Sequence, residues 1–131
     1  MSLHPQNATK VLLSIKPKFV DKIFGGKKNF EYRKVIFRRQ EIDTVIVYAS
    51  TPTRRIIGEF KVVAIHEHCP EALWQLTSFF SGISEDQYWK YFRGRTRAYA
   101  IEIGERLLYP APRRIEEEFG VRPPQSFMYV Q

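Results

Sequence analysis

Hydrophobic and polar residues follow two different periods along this chain. Residues 11–16 form a short apolar run ending at Pro17, which favours an extended conformation for the residue before it and so predicts a strand. In residues 17–24 the apolar positions form one stripe of a helix, and Gly25-Gly26 supply its end. Residues 27–35 alternate with period two, as in a half-buried strand that turns Phe30 and Tyr32 toward the core.

The same patterns continue to the end of the chain. The β-branched residues 44–50 predict a third strand, and residues 55–68 predict a long strand with a bulge or close approach at Gly58. Helical spacing covers residues 70–80, and a capping box at residues 84–87 predicts a further helix that runs to Gly94. Residues 96–109 read as another long strand, and residues 114–119 as a short helix.

These elements predict an α+β fold. About five to six strands with helices inserted between them, in a chain this short, favour a mainly antiparallel, strongly curved sheet or small barrel. Parallel winding is disfavoured because residues 44–68 hold two strands joined only by a turn. At 131 residues the chain is long enough for one domain and too short for two. We expect this domain to span residues 11–131, after a disordered or expression-derived segment at residues 1–10.

Positive charge is concentrated in the first part of the chain. The net charge is +7, yet residues 1–55 carry 12 Lys/Arg against 4 Asp/Glu, whereas residues 56–131 carry 9 against 10. Clustered basic side chains attract phosphates, so this asymmetry indicates a polyanionic partner. A basic surface that is merely solvated is the competing interpretation.

Several classes of protein are disfavoured by composition. No apolar run approaches the ~20 residues of a membrane-spanning helix, and the first residues lack the build of a signal peptide. We therefore expect a soluble, cytoplasmic protein with no membrane partner. Cys69 is the only cysteine, so a disulfide within the chain and a multi-cysteine zinc site are both ruled out. His66 and His68 share a strand face, but their spacing fits no standard zinc motif, and we expect no metal and no cofactor.

Residues 26–33 (GKKNFEYR) resemble the G-x-K-x-x-E-x-R signature of the ASCH family, a branch of the PUA-like β-barrels. Residues 15–17, 47–50 and 124–127 resemble other segments of small ASCH-type proteins of uncharacterised role. The resemblance implies a barrel with a basic cleft and a ligand that is RNA or a modified nucleotide. It leaves room for a separate regulatory protein partner and says nothing of oligomeric state.

The resemblance also raises an enzymatic alternative. Some ASCH proteins are amidohydrolases acting on N4-acylated cytidine, in which the signature lysine activates a threonine three residues later, and others are proposed nucleases. Here Lys28 matches the lysine, but Glu31 stands at the threonine position. A carboxylate beside a lysine tends to hold it protonated. We therefore favour a binding module, with a metal-independent hydrolase, either amidohydrolase or ribonuclease, as the alternative in which Lys28 and Glu31 would be catalytic.

Eleven residues are the candidate contacts for this ligand. Glu31 would accept a hydrogen bond from an exocyclic amine, Tyr48 would stack on a base, and Gln125 and Ser126 would read a base edge. The competing interpretations are an exposed ion pair, a tyrosine that covers the core, and a structural turn. The predicted ligand-binding residues are Lys16, Lys28, Glu31, Arg33, Tyr48, Ser50, Gln125 and Ser126, and the predicted phosphate-binding residues are Arg93, Arg95 and Arg97.

Overall fold

The computed structural model describes residues 10–39 and 41–131. Within them the chain forms six strands and four helices. Their order is β1 (Lys10–Ile15), α1 (Pro17–Phe24), β2 (Phe30–Arg33), β3 (Thr44–Ala49), β4 (Arg55–His68), α2 (Pro70–Thr77) with a 3-10 turn (Ser78–Phe80), α3 (Glu85–Tyr91), β5 (Ala98–Arg113), α4 (Ile115–Phe119) and β6 (Phe127–Val130).

The six strands form one curled, half-barrel sheet in the order β2-β5-β4-β3-β1-β6. The β1–β3 pair is parallel, and the other four pairs are antiparallel. The predicted α+β, mainly antiparallel PUA-like fold is therefore confirmed. Strands β2 and β6 are the two edges of the sheet. Strand β2 carries Glu31 and Arg33, and Gln125 and Ser126 directly precede β6.

Both faces of the central strands are covered. Val11, Leu13 and Ile15 of β1 pack with alternate residues of β3 and with α1 in the main core. Leu12 faces the other way, into a second cluster that includes Ile115 of α4. A strand buried on both faces has no polar side, which explains why residues 11–13 and 45–49 are continuous apolar runs.

A third cluster lies under α2 and α3. It joins Tyr32 of β2 to Leu73 of α2 and to Tyr88 and Phe92 at α3, with Ala98 and Ala100 of β5 leaving room for the rings. Helix α3 begins as predicted, because Ser84 accepts from the Gln87 amide and the Gln87 side chain accepts from the Ser84 amide. These two helices bury the face of β2 that carries Tyr32.

Gly58 lies at the predicted close approach. A Cβ at this position would collide with the Leu107 carbonyl oxygen and with the ring of Phe24, so α1 can pack on the β4–β5 pair only over a glycine. The ladder between β3 and β4 shifts register at the same place. The expectation for the first ten residues lies outside the described residues, apart from Lys10, which begins β1. No helix in the described ranges is long and apolar enough to cross a membrane.

Candidate functional site

Glu31 and Arg33 of β2 form a buried ion pair. Their side chains are 7% and 11% exposed, and Arg33 Nη1 lies 3.3 Å from Glu31 Oε2. Glu31 is the ladder partner of Ile101, which belongs to the main core. The predicted alternation of β2 is right, but the interpretation of this pair as an exposed ion pair is wrong, because helices cover one face of β2 and the curled sheet encloses the other.

Arg33 closes the gap between the two edge strands. The described strands β2 and β6 share no ladder. Instead, Arg33 Nη2 donates to Ser126 Oγ at 2.8 Å and to the Ser126 carbonyl oxygen at 3.2 Å, and Nη1 donates to the Ser14 carbonyl oxygen at 3.3 Å. We call this gap, bridged by Arg33, Ser14 and Ser126, the seam. A planar guanidinium with several fixed donors suits this bridging role better than an ammonium does.

Further hydrogen bonds support the seam. The Ser14 amide donates to the Ser126 carbonyl oxygen at 3.2 Å, and Ser14 Oγ donates to the Pro124 carbonyl oxygen. The amides of Arg38 and Arg39 both donate to the Tyr129 hydroxyl of β6, at 2.9 and 3.2 Å. The segment before β6 is therefore fixed to β1, and β6 itself is fixed to the loop after β2.

Lys28 is the most deeply buried charged group of the site. Its side chain is enclosed by aromatic rings, with Nζ 5.2 Å from the Phe19 ring centre and 4.9 Å from that of Tyr32, and the residue is 2% exposed. Nζ donates to the Ser81 carbonyl oxygen at 3.0 Å. The pKa of Lys28 is lowered from 10.5 to about 8, mainly because burial disfavours the charged amine. The negative charge of Glu31 opposes this shift, and the positive charge of Lys22 adds to it. A fraction of this amine is therefore neutral near physiological pH.

The backbone around Lys28 is held from two sides. Arg106 Nη2 donates to the Lys28 carbonyl oxygen at 3.0 Å and to Asn29 Oδ1 at 2.7 Å. On the other side Gly82, with a φ of +72°, lies directly against the Lys28 side chain, where a Cβ would come within 2.5 Å of Lys28 Cβ. Ser81 is thereby positioned to accept from the ammonium.

Five predicted residues meet at the carboxyl end of β1. Arg33 and Ser126 join Ser14 there, the Ser50 amide donates to the Ile15 carbonyl oxygen at 2.9 Å, and the exposed Lys16 follows directly. Gln125 is exposed beside Ser126. The structure thus brings Lys16, Ser50, Gln125 and Ser126 to the end of the seam, with Lys28 in the adjoining aromatic enclosure.

Tyr48 does not join them. It is 4% exposed and packs with Leu12, Ile46 and Ile115 in the second cluster. Burial raises the pKa of its hydroxyl, and nearby Glu116 raises it further. Base stacking needs an open ring face, which this packing removes, so the competing interpretation of Tyr48 as a cover of the core is the one that the structure supports.

The three predicted phosphate contacts differ in their partners. All three are exposed. Arg95 Nη2 donates to the Lys34 carbonyl oxygen at 3.0 Å, which links the loop after α3 to the end of β2, and Arg97 pairs with Glu67 at 3.4 Å. Arg93 has no ion pair among the described residues, which leaves its guanidinium the most available of the three.

The histidines belong to the sheet. His66 Nε2 lies 2.9 Å from Glu102 Oε1, and its ring packs edge-on to Phe30. Cys69 is exposed as a free thiol. In the parts of the chain that the structure describes, no cluster of three or more His, Cys, Asp or Glu residues is placed to hold a metal ion.

Sequence reasoning missed Ser14, Phe19 and Ser81. Phe19 belongs to the apolar stripe of α1 and therefore reads as core. Ser81 meets Lys28 through its carbonyl oxygen, which no residue type reveals. Ser14 was detectable in principle, because it is the one polar residue within the apolar run of β1.

Two cavities lie near α4, away from the residues of the candidate site. One of about 120 Å³ is lined by Lys10, Glu59, Tyr109 and Arg113, among others. A more open one of about 600 Å³ follows α4 and β6. Acidic residues of α4 line both cavities, and neither Glu31 nor Arg33 of β2 lines either of them.

Comparison with known proteins gives consistent results. A model of the ASCH domain matches residues 13–105. The large ribosomal subunit protein uL22 of Ureaplasma parvum is 25% identical over 125 residues, which cover 92% of this chain but only 39% of that protein. An ASCH domain-containing ribonuclease of Zymomonas mobilis is 27% identical over 126 residues, covering 93% of this chain and 84% of that protein. The crystal structure of ASCH from Zymomonas mobilis superposes with a TM-score of 0.86 and 26% identity, covering 94% of this chain and 88% of that one.

Proposed function

Because the chain belongs to the ASCH domain family, we propose that it binds RNA through the exposed lysines that surround α1. The observation that carries this proposal is their clustering. Asp21 is the one acid between residues 16 and 27, against four exposed lysines, which we call the basic face: Lys16, Lys18, Lys22 and Lys27. Such a face attracts a phosphate backbone by charge and by release of its counterions. The similarity to a protein named as a ribonuclease supports RNA as the polyanion.

The buried and exposed charges have different roles in this proposal. Arg33 and Glu31 position the end of β1, while Lys16, Ser50 and Gln125 beside it are accessible to a base or phosphate. Arg93 extends the positive edge on the α3 side. Free nucleotide or modified nucleoside binding would use the same polar groups at the end of the seam, without the wider basic face.

Salt dependence tests the proposal. The triple variant Lys16→Gln, Lys18→Gln, Lys27→Gln should weaken binding of a labelled single-stranded RNA and lower the slope of log Kd against log salt by about 2. The control is Arg113→Gln with Arg114→Gln, which removes two exposed charges near α4 and should leave the slope unchanged, so the two variants are compared per charge removed. Equal effects of the two variants would show only a general effect of net charge and would overturn the proposal.

A metal-independent ribonuclease is the second candidate, because the pKa of Lys28 near 8 makes a neutral amine available. In this reaction the amine would take the proton of a ribose 2′-hydroxyl as its oxygen bonds to the adjacent phosphorus. The bond from phosphorus to the 5′-oxygen would break, and that oxygen would take up a proton from water or from the lysine. The products would be a 2′,3′-cyclic phosphate and a 5′-hydroxyl. We rank binding first because Lys28 is 2% exposed, so a phosphate could reach Nζ only if the groups around it moved.

The hydrolytic candidate has its own test. A labelled RNA incubated with excess chelator should give cyclic-phosphate ends with the wild type and none with Lys28→Met, and the rate should rise as pH approaches about 8. A rate that is the same in Lys28→Met would assign the cleavage to other groups or to a contaminant. Release of carboxylate from N4-acetylcytidine, again lost in Lys28→Met, would point to the amidohydrolase instead. A regulatory protein partner stays a prediction.

A further inference from the structure

The turn after α2 carries an exposed pair of aromatic rings. Phe79 is 88% exposed and Phe80 is 51% exposed, and their ring centres lie 4.8 Å apart in an edge-to-face arrangement. Leu76 of α2 is also exposed nearby in the sequence. A contiguous exposed apolar patch, unlike a single exposed apolar residue, is typical of an interaction site. We call residues 78–82 the aromatic turn.

Three hydrogen bonds hold the aromatic turn to the candidate site. The Asn29 amide donates to the Phe80 carbonyl oxygen at 2.9 Å, Lys28 Nζ to the Ser81 carbonyl oxygen at 3.0 Å, and Lys22 Nζ to the Gly82 carbonyl oxygen at 2.9 Å. Three consecutive carbonyl groups are thus fixed by α1 and by the segment that leads into β2. The rings are therefore presented on an ordered backbone, which reduces the entropy that a ligand must remove on binding.

The turn meets basic residues on the side of α1, whereas the exposed acids Glu85 and Asp86 follow it at the start of α3. Residues 72–84 carry no charged side chain, and the neighbouring element that contacts the turn is the end of the basic face, through Lys22 and the segment that follows Lys27. Apolar rings beside ammonium groups suit a ligand that offers flat apolar faces on a negatively charged backbone. A protein partner that covered the same rings would also have to neutralise these lysines.

We propose that the aromatic turn stacks on unpaired bases of single-stranded RNA whose phosphates lie along the basic face. This inference rests on the proposed RNA binding and specifies the form of RNA that is bound. Stacking on phenylalanine needs an open base face, which a duplex does not present except at its ends. The domain should therefore prefer single strands to duplexes, with little dependence on base identity.

The test uses the double variant Phe79→Ala, Phe80→Ala, whose side chains are exposed and not needed for the core. Its control is Leu107→Ala with Leu108→Ala, a comparably exposed apolar pair on β5. Fluorescence anisotropy with an oligonucleotide of about 12 nucleotides should show a loss of affinity of about tenfold or more for the phenylalanine variant and little change for the control. The salt slope should stay at the wild-type value, and weak duplex binding should be unaffected.

The outcomes separate the two levels of the proposal. Failure of the wild-type protein to bind any RNA at low salt would overturn the proposed function itself. If the wild type binds but the phenylalanine variant binds single strands equally well, RNA binding stands and stacking by the aromatic turn is rejected. Analytical ultracentrifugation of the wild type and the phenylalanine variant then tests self-association. If only the variant loses self-association, the aromatic turn contacts a second copy of the chain, and stacking on RNA is again rejected.

Discussion

The region around β2 and the region around α4 hold charged side chains in different ways. Around β2, Lys28, Glu31 and Arg33 are buried, and each is held by specific hydrogen bonds or by an ion pair. Around α4, ion pairs such as Arg113 with Glu118 are exposed, and the described cavities lie there. Because buried charges need compensation and exposed ones do not, the position of desolvated charge marks the functional candidate better than cavity volume does.

The sign of the surface charge differs as well. The basic face around α1 contains four exposed lysines, whereas α4 carries three exposed acids in succession, Glu116, Glu117 and Glu118. A phosphate backbone is attracted to the first and repelled by the second. The larger cavity lies against these acids, so an anionic ligand is not expected to occupy it.

Breaking the seam should have the largest effect on stability. Arg33→Ala removes the donors to Ser14 and Ser126 and leaves the buried Glu31 without its ion-pair partner, so we expect a loss of about 3 to 5 kcal/mol in the free energy of unfolding. Denaturant titration measures it. The double variant Arg33→Ala, Glu31→Gln should recover part of the loss because it removes the unpaired charge. If both variants unfold at the wild-type denaturant concentration, the buried description of β2 is wrong.

Lys28 should make stability depend on pH. Its folded pKa of about 8 lies below the ordinary 10.5, so between these values the unfolded chain binds more protons than the folded one. The free energy of unfolding should therefore rise as pH increases from about 7 to about 10, by roughly 2 to 3 kcal/mol from this group. The measurement is urea unfolding of the wild type and of Lys28→Met at each pH.

The difference between wild type and Lys28→Met isolates the lysine. Groups away from Lys28 titrate equally in both proteins, so their contribution to the difference cancels. The variant should be the more stable near pH 7, and its advantage in the free energy of unfolding should decline above about pH 8. The comparison is made below about pH 10 because Tyr32 begins to matter above it. Burial raises the pKa of Tyr32 in the folded protein to about 12, so the stability that its neutral hydroxyl contributes is lost as pH rises from about 10 to about 12. A constant difference across the window would mean that the folded lysine keeps its ordinary pKa.

The sequence was sufficient for most of the fold because local chemistry sets the elements. Pro17, Gly25-Gly26, Gly58 and the capping box at residues 84–87 each predict a boundary or contact that the structure contains. The sequence patterns did not predict a strand at β6. Residues 127–130 are short and uniformly apolar or aromatic, so no alternation distinguishes them, and their pairing with β1 is a contact between the two ends of the chain.

The candidate site was less predictable, for a physical reason. The alternation in residues 27–35 predicts that Glu31 and Arg33 lie on the same face of the strand. It does not predict what covers that face, because this depends on how strongly the sheet curls. Tyr48 shows the same limit, since period two places it opposite Val47 but cannot reveal that α4 packs over it. Backbone acceptors such as the Ser14 and Ser81 carbonyl oxygens have no sequence signature at all.

Two glycines with similar backbones allow a finer comparison of the two regions. Gly82 and Gly120 both have positive φ, at +72° and +65°, but a Cβ at Gly82 would collide with Lys28, whereas one at Gly120 meets nothing within 4 Å. Gly120→Ala should cost about 1 kcal/mol from backbone strain alone, and Gly82→Ala about 2 kcal/mol or more. Only Gly82→Ala should also change the pH dependence assigned to Lys28. Equal costs would show that the Lys28 side chain adjusts freely.

The smallest effect is expected in the region around α4. Arg113 is 43% exposed and Glu118 37% exposed, so their 2.9 Å contact is largely solvated. Arg113→Ala should lower the free energy of unfolding by less than about 1 kcal/mol, part of which comes from lost packing on the Tyr109 ring. The contact should weaken further in high salt, whereas the Glu31–Arg33 pair should not respond, because ions do not screen a buried pair effectively. Measuring the unfolding of both variants, Arg113→Ala and Arg33→Ala, at low and high salt therefore tests the comparison directly. If Arg113→Ala lowered the free energy of unfolding by several kcal/mol at both salt concentrations, the Arg113–Glu118 pair would also be desolvated. The region around β2 would then no longer be distinguished by its buried charges.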